Sequence, residues 1–217
     1  MRVTVLGCSG GWPAAGRPCS GYLLEAGGRQ VWLDAGTGTM PELLRHTTLA
    51  DLDAVWISHL HPDHCSDLFG AFQALKYGNA RDDRLPVYGP PRWASAFEAF
   101  AGPATGVFEV HELVDGGRVD LGPLQLEAVF VPHVLPTFGV RASADGKVFG
   151  YTADYEPGAD LSRFADVDLL LAEAWRSADA VAALGVRAVI THVHPDLDPL
   201  EVAGDMEAAA PGMVISM

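Results

Sequence analysis

Short apolar runs, each closed by Gly or Pro, recur along the whole chain: residues 3–6, 22–25, 31–33, 54–57, 124–131, 148–151, 169–171 and 188–190. They are rich in Val, Leu and Phe and too short for helices, so the pattern predicts strands. The first three follow one another through tight turns such as Gly27-Gly28, which predicts antiparallel pairing. Helical spacing is rarer. Leu68, Phe69, Phe72 and Leu75 recur at helical intervals within residues 64–77, with Gly78 as the stop. Residues 92–100, 178–184 and 199–210 are weaker helix candidates. The early chain reads as strand after strand and the later half as helix alternating with strand. Two mixed sheets with helices outside, an α/β (α+β) architecture, fit that pattern.

The chain has 217 residues, enough to bury one sizeable core, and its 49% hydrophobic and 19% charged content is globular. The formal net charge of −14 disfavours a tight nucleic-acid binder, which draws its affinity from Lys and Arg on phosphates. The opening residues read as a strand and not as a signal peptide, and no run is long enough for a membrane span. Cys8, Cys19 and Cys65 are an odd number without a CxxC spacing. That usage suits a reducing compartment, so a cytoplasmic location is expected.

The chemistry concentrates in Ser58-His59-Leu60-His61-Pro62-Asp63-His64, directly after the run 54–57. Four strong ligand side chains in six residues would be costly to desolvate without a cation. His59 and His61, two apart on extended chain, point the same way; Pro62 then starts a helix whose first turn carries Asp63 and His64 elsewhere. One segment can thus serve two metals. Imidazole and carboxylate donors suit zinc, with iron and manganese as alternatives. His133, Asp154 and His192 each follow a predicted strand, where functional groups are commonly presented.

Together these motifs resemble the metallo-β-lactamase superfamily, in particular its ribonuclease Z-like and small-phosphodiesterase branch. The ordered set is Gly7-Cys8-Ser9-Gly10-Gly11, Leu33-Asp34-Ala35-Gly36, the histidine cluster, His133, Tyr151-Thr152-Ala153-Asp154, Glu173-Ala174 and Thr191-His192. The resemblance implies a single domain over residues 1–217, folded as a four-layer αββα sandwich of two mixed sheets. It implies one metal held by His59, His61 and His133, a second held by Asp63, His64 and His192, and Asp154 bridging them. Asp34 would support the ligands by hydrogen bonding without touching metal. The implied activity is that of a dinuclear zinc-dependent hydrolase acting through a metal-bridging hydroxide, with Asp63 orienting the nucleophile and taking its proton. The expected substrate is a small anionic phosphodiester, cyclic-nucleotide-like. Ester, thioester or lactone hydrolysis, ribonuclease Z-like RNA processing and a catalytically silent metal-binding relative are the alternatives.

One departure stands out. Relatives carry a His element between the Glu-Ala pair and the last metal His. Here Glu173-Ala174-Trp175-Arg176 runs into a short segment with no His until His192. His194 is read as a rim or structural residue first and as a substitute second. The stretch between His64 and His133 is also too short and too poor in cations (Lys76, Arg81, Arg84, Arg92, Arg118) for the projecting basic arm of ribonuclease Z. Nucleic-acid and membrane partners are therefore not expected. Residues 12–18, 77–85 and 132–138 are the expected pocket walls; Trp12 and Phe138 either line the pocket or meet a second subunit, so a homodimer is left open. His46, His111 and Cys65 read as bystanders.

Overall fold

A computed structural model describes residues 1–78 and 81–217. Asn79 and Ala80, inside the expected wall segment 77–85, lie outside the described residues. The first sheet is built from β1 (Arg2–Gly7), β2 (Gly21–Ala26), β3 (Arg29–Leu33), β4 (Ala54–Trp56), β5 (Leu85–Gly89) and β6 (Phe108–Glu112) in that spatial order. The second takes β7 (Arg118–Leu121), β8 (Leu124–Val131), β9 (Thr137–Ala144), β10 (Lys147–Tyr151), β11 (Leu169–Glu173), β12 (Ala188–Thr191) and β13 (Glu207–Ala208). The last strand, β14 (Val214–Ser216), returns to the first sheet beside β1.

Each sheet is half antiparallel and half parallel. β1, β2 and β3 pair antiparallel as expected from their glycine turns, whereas β3 through β6 run parallel with helical crossovers. The later half is not simply helix alternating with strand: β7 to β10 form an antiparallel meander, and only β10 to β13 are parallel. Strands β5, β6, β7 and β9 lack a continuous apolar run, because Pro86 interrupts β5, polar residues alternate along β6 and β7, and Gly139 interrupts β9, which hides them from a hydropathy reading.

Period-two alternation assigns each face. Tyr22, Leu24, Val31, Leu33 and Trp56 point into a core between the sheets, against Leu126, Val140, Phe149, Leu171 and Val189. The intervening Leu23, Trp32 and Val55 point outward under α1 (Thr39–Leu43), α3 (Asp67–Gly78) and α4 (Trp93–Ala101), with Phe72 and Phe97. On the far side, Leu170, Ala172 and Ile190 meet Val181 of α5 (Asp179–Ala182) and Ala203 of α6 (Pro199–Ala203). The four-layer αββα sandwich is therefore observed.

Two helix expectations need correction. The helix over 64–77 is broken into α2 (Pro62–Cys65) and α3, because Asp67 N donates to the Ala35 carbonyl (2.8 Å) and not to the preceding turn. The helix over 199–210 stops at Ala203: Gly204 adopts φ 60° and Ala208 joins the second sheet.

Candidate metal centre

The site forms where the carboxyl ends of β3, β4, β8, β10, β11 and β12 come together, the end at which sheets with parallel strands present ligand-binding loops. Beyond β4 the chain stays extended through His61 (ψ 141°), and Pro62 opens α2 at its first position. His59 and His61 therefore face one point, with ring centroids 4.8 Å apart, while Asp63 and His64 leave from the helical turn. His133 follows β8, Asp154 follows β10 and His192 follows β12.

Three overlapping ligand groups result, one of them Asp154, Glu173 and His192. His59, His61, His133 and Asp154 have donor atoms within 4.8 Å of one another, and so do Asp63, His64 and His192. His61 Nδ1 lies 3.0 Å from His59 Nε2 and 3.3 Å from His133 Nε2. Asp154 stands between the groups: its carboxylate is 3.7 Å from His59 Nε2, 3.2 Å from His64 Nε2 and 3.2 Å from His192 Nε2. Asp63 Oδ2 lies 3.6 Å from His64 Nε2 and 3.8 Å from His192 Nε2. All seven expected ligands are thus brought together, five of them buried and His61 and His133 partly so.

A shell of hydrogen bonds aims these donors inward. Asp34, wholly buried, accepts from Ser58 N (2.7 Å) at Oδ1, and at Oδ2 from Ser58 Oγ (2.8 Å), Tyr151 OH (2.6 Å) and His64 Nδ1 (2.7 Å). Ser20 Oγ lies 2.8 Å from His192 Nδ1, and Ser58 Oγ 3.0 Å from His59 Nδ1. A ring nitrogen fixed in this way leaves the opposite nitrogen's lone pair facing the cluster. Gly11 N donates to Asp63 Oδ2 at 2.7 Å. Asp34, Ala153 and His192 all have positive φ (55°, 55° and 52°), so backbone strain is concentrated beside the ligands.

The local electrostatics show what the cluster lacks. Burial lowers the basicity of His59, His192 and His133. Burial also opposes a charged His64, yet the Asp154 and Asp34 carboxylates outweigh it and hold its pKa well above 6.5. Asp154 resists its own desolvation because His192, His64 and His59 surround it, and it stays ionised well below the usual range. Burial, then the Asp154 charge, push Glu173 well above the usual carboxylate range. Even so, among the described residues His64 Nε2 and Asp154 Oδ1 are buried with no hydrogen-bond partner, facing each other at 3.2 Å. Orphaned polar atoms of this kind are rare and costly in a dry interior. A divalent cation satisfies both, so the donor set fits a metal.

Above the cluster lies a cavity of about 830 Å³ walled by residues 154–158 and 173–180, with Gly11, His61, Asp63, His133 and His192 at its floor. Of the expected walls only 132–138 contributes, through His133; among the described residues, 12–18 and 77–85 do not line it. Phe138 is a core residue packed on Phe130, and half-exposed Trp12 rests on Trp175 and His194 outside the lining. His194 is buried between those two indoles, its Nδ1 accepting from Asp196 N (3.2 Å), which makes it structural. The Cys65 thiol donates to the His61 carbonyl, and burial pushes it up to about 12; His111 stacks on Tyr88 and His46 is exposed. Ser20 carries no sequence signal, being a lone hydroxyl, and the motifs that contain Gly11 and Tyr151 do not indicate their contacts to Asp63 and Asp34.

The chain resembles known proteins in sequence and in fold. The beta-lactamase superfamily domain matches residues 29–211. The uncharacterized protein Rv1339 of Mycobacterium tuberculosis is 34% identical over 242 aligned residues, covering 99% of this chain and 88% of that protein. The probable metallo-hydrolase YhfI of Bacillus subtilis is 29% identical over 182 residues, covering 80% of this chain and 72% of YhfI. The YhfI crystal structure superimposes with a TM-score of 0.83 at 24% identity, across 99% of this chain and 98% of YhfI. Human tRNase Z, short form, gives a TM-score of 0.79 at 20% identity, across 100% of this chain and 99% of that one.

Proposed function

The chain belongs to the beta-lactamase superfamily and is a metallo-hydrolase, and on that footing we propose that it hydrolyses a small phosphodiester, cyclic-nucleotide-like in size, at a pair of zinc ions. The observation that carries the reading is the convergence of five imidazoles and two carboxylates beside one cavity, which His61, His133, His192, Asp63 and Asp154 line, with His64 Nε2 and Asp154 Oδ1 left unpartnered among the described residues. His59, His61 and His133 would hold one ion, Asp63, His64 and His192 the other, and Asp154 would reach both. Nitrogen-rich sets with carboxylate oxygens suit zinc. Bound there, the cations supply Lewis acidity and bring the pKa of water toward about 7.

The protein's own groups do the rest. Asp63, clamped by the Gly11 amide, lines the cavity and is the carboxylate placed to orient the attacking water and accept its proton. Asp34 and Ser20 keep His64 and His192 from turning. Tyr155, Pro157 and Trp175 give the cavity an aromatic and apolar wall for the organic part of a substrate. Two dications against the two liganding carboxylates leave a positive floor, which favours an anion. The tRNase likeness supports phosphoryl chemistry, while a net charge of −14 and the Glu156 and Asp179 carboxylates beside the cavity favour a compact substrate over a polynucleotide.

The test is turnover of bis(p-nitrophenyl) phosphate and cyclic nucleotides by zinc-loaded protein, with and without chelator. Chelator-sensitive diester hydrolysis is expected. Turnover confined to esters, thioesters or lactones, turnover indifferent to metal, or none at all contradicts the proposal.

A further inference from the structure

The cavity holds one feature that the ligand set does not use. Among the described residues five carboxylic residues line it, Asp63, Asp154, Glu156, Glu173 and Asp179, but only a single Arg or Lys, Arg176. Elsewhere in the chain most cations are committed within 4.0 Å of a carboxylate, as Arg29 is to Asp53, Arg141 to Asp166, Lys147 to Asp168 and Arg187 to Glu207. Among the described residues Arg176 makes no ion pair and no side-chain hydrogen bond, and it is exposed. Its backbone is nonetheless held. The Trp175 carbonyl accepts from His194 N (3.1 Å), the Trp175 ring lies against Gly10, and Ser177 Oγ accepts from Asp179 N (3.2 Å). A guanidinium on an anchored backbone, free of partners in an otherwise acidic wall, is arranged to receive an anion from outside the chain.

Resting on the reading of an anionic phosphoryl substrate, we infer that Arg176 binds the non-reacting anionic oxygens of that substrate and sets the preference for anions over neutral esters. Glu156 and Asp179 repel charge placed anywhere else along the wall, so the substrate's anionic group is steered to one position. This selects a compact ligand carrying a single localised charge.

The experiment compares wild type, Arg176→Ala and Arg176→Lys, all zinc-loaded and matched for metal content. It follows bis(p-nitrophenyl) phosphate and neutral p-nitrophenyl acetate kinetics, and calorimetric binding of phenylphosphonate. Loss of a charged, bidentate contact is expected to raise KM for the diester and weaken phenylphosphonate about 10–100-fold, with a smaller change in kcat and in the acetate reaction. Arg176→Lys should recover part of the loss. If wild type fails to cleave the diester, the proposed function falls, yet the phenylphosphonate comparison still decides the role of Arg176. Equal affinity in wild type and Arg176→Ala, or no phenylphosphonate binding to wild type, overturns the inference.

Discussion

Asp34→Asn probes how the fold prepares its ligands, because it changes one atom at a position that tolerates the change. Asn occupies the left-handed region as readily as Asp, so the φ of 55° adds no strain. The amide has two orientations. With its NH2 at the Oδ2 site it faces Ser58 Oγ, Tyr151 OH and His64 Nδ1, three groups that now meet an acceptor. His64 must then accept at Nδ1 and carry its proton on Nε2, the nitrogen turned toward Asp63 and Asp154. With NH2 at the Oδ1 site, the buried Ser58 N–H meets a donor instead. Either arrangement leaves a buried group unsatisfied, at about 1–3 kcal/mol. For a chain of this length that is a fall in Tm of roughly 2–4 °C per kcal/mol. Loss of such an orienting partner also weakens metal about 10–100-fold, or about 1.4–2.7 kcal/mol. Zinc stoichiometry at buffered free zinc, with thermal unfolding of the metal-free protein, measures both. Unchanged zinc affinity and an unchanged Tm would refute the reasoning.

Further outcomes follow from the same geometry. His61→Ala, which deletes the nitrogen shared between His59 and His133, should lose at least one metal and most of the thermal stabilisation by zinc; elemental analysis showing unchanged metal content would falsify that ligand assignment. Gly36→Ala should destabilise the protein by about 1–3 kcal/mol or more, because its Cβ would meet the Asp63 carbonyl oxygen at 2.0 Å and the Ser20 carbonyl oxygen at 2.5 Å; urea unfolding identical to wild type would contradict it. Metal uptake at pH 7 should release a proton from His64, whose pKa lies above 6.5, whereas His59 and His192, with lowered values, are already neutral. Zinc affinity should therefore rise with pH, and calorimetric enthalpies should depend on the buffer's ionisation heat; buffer-independent enthalpies would argue against a protonated His64.

Residue type and spacing made the centre legible because its ligands are chemically rare and its strands are short apolar runs. The His59–His64 segment follows β4 as a ligand loop, with Pro62 splitting its donors between two directions. What escaped is what depends on partners distant in sequence. Tyr151 and Asp34 are 117 residues apart, and Ser20 and His192 172 apart, so no local pattern announces either contact. The cavity walls were misplaced for a related reason. Residues 12–18 carry no pattern that fixes their place; Gly10, whose added Cβ would lie 2.7 Å from the Trp175 ring, lets that indole pack close, and Trp175 lines the cavity where 12–18 do not. Strand β9 pairs through Gly139 and Arg141, and its fit is set by neighbours on both sides and not by its own hydropathy.

Anomalous diffraction recorded on either side of the zinc edge, from crystals grown with zinc, locates the bound ions. Two peaks are expected beneath the cavity, one among His59, His61 and His133 and one among Asp63, His64 and His192, both within reach of Asp154. A single peak, or zinc bound only away from these seven side chains, would contradict that expectation.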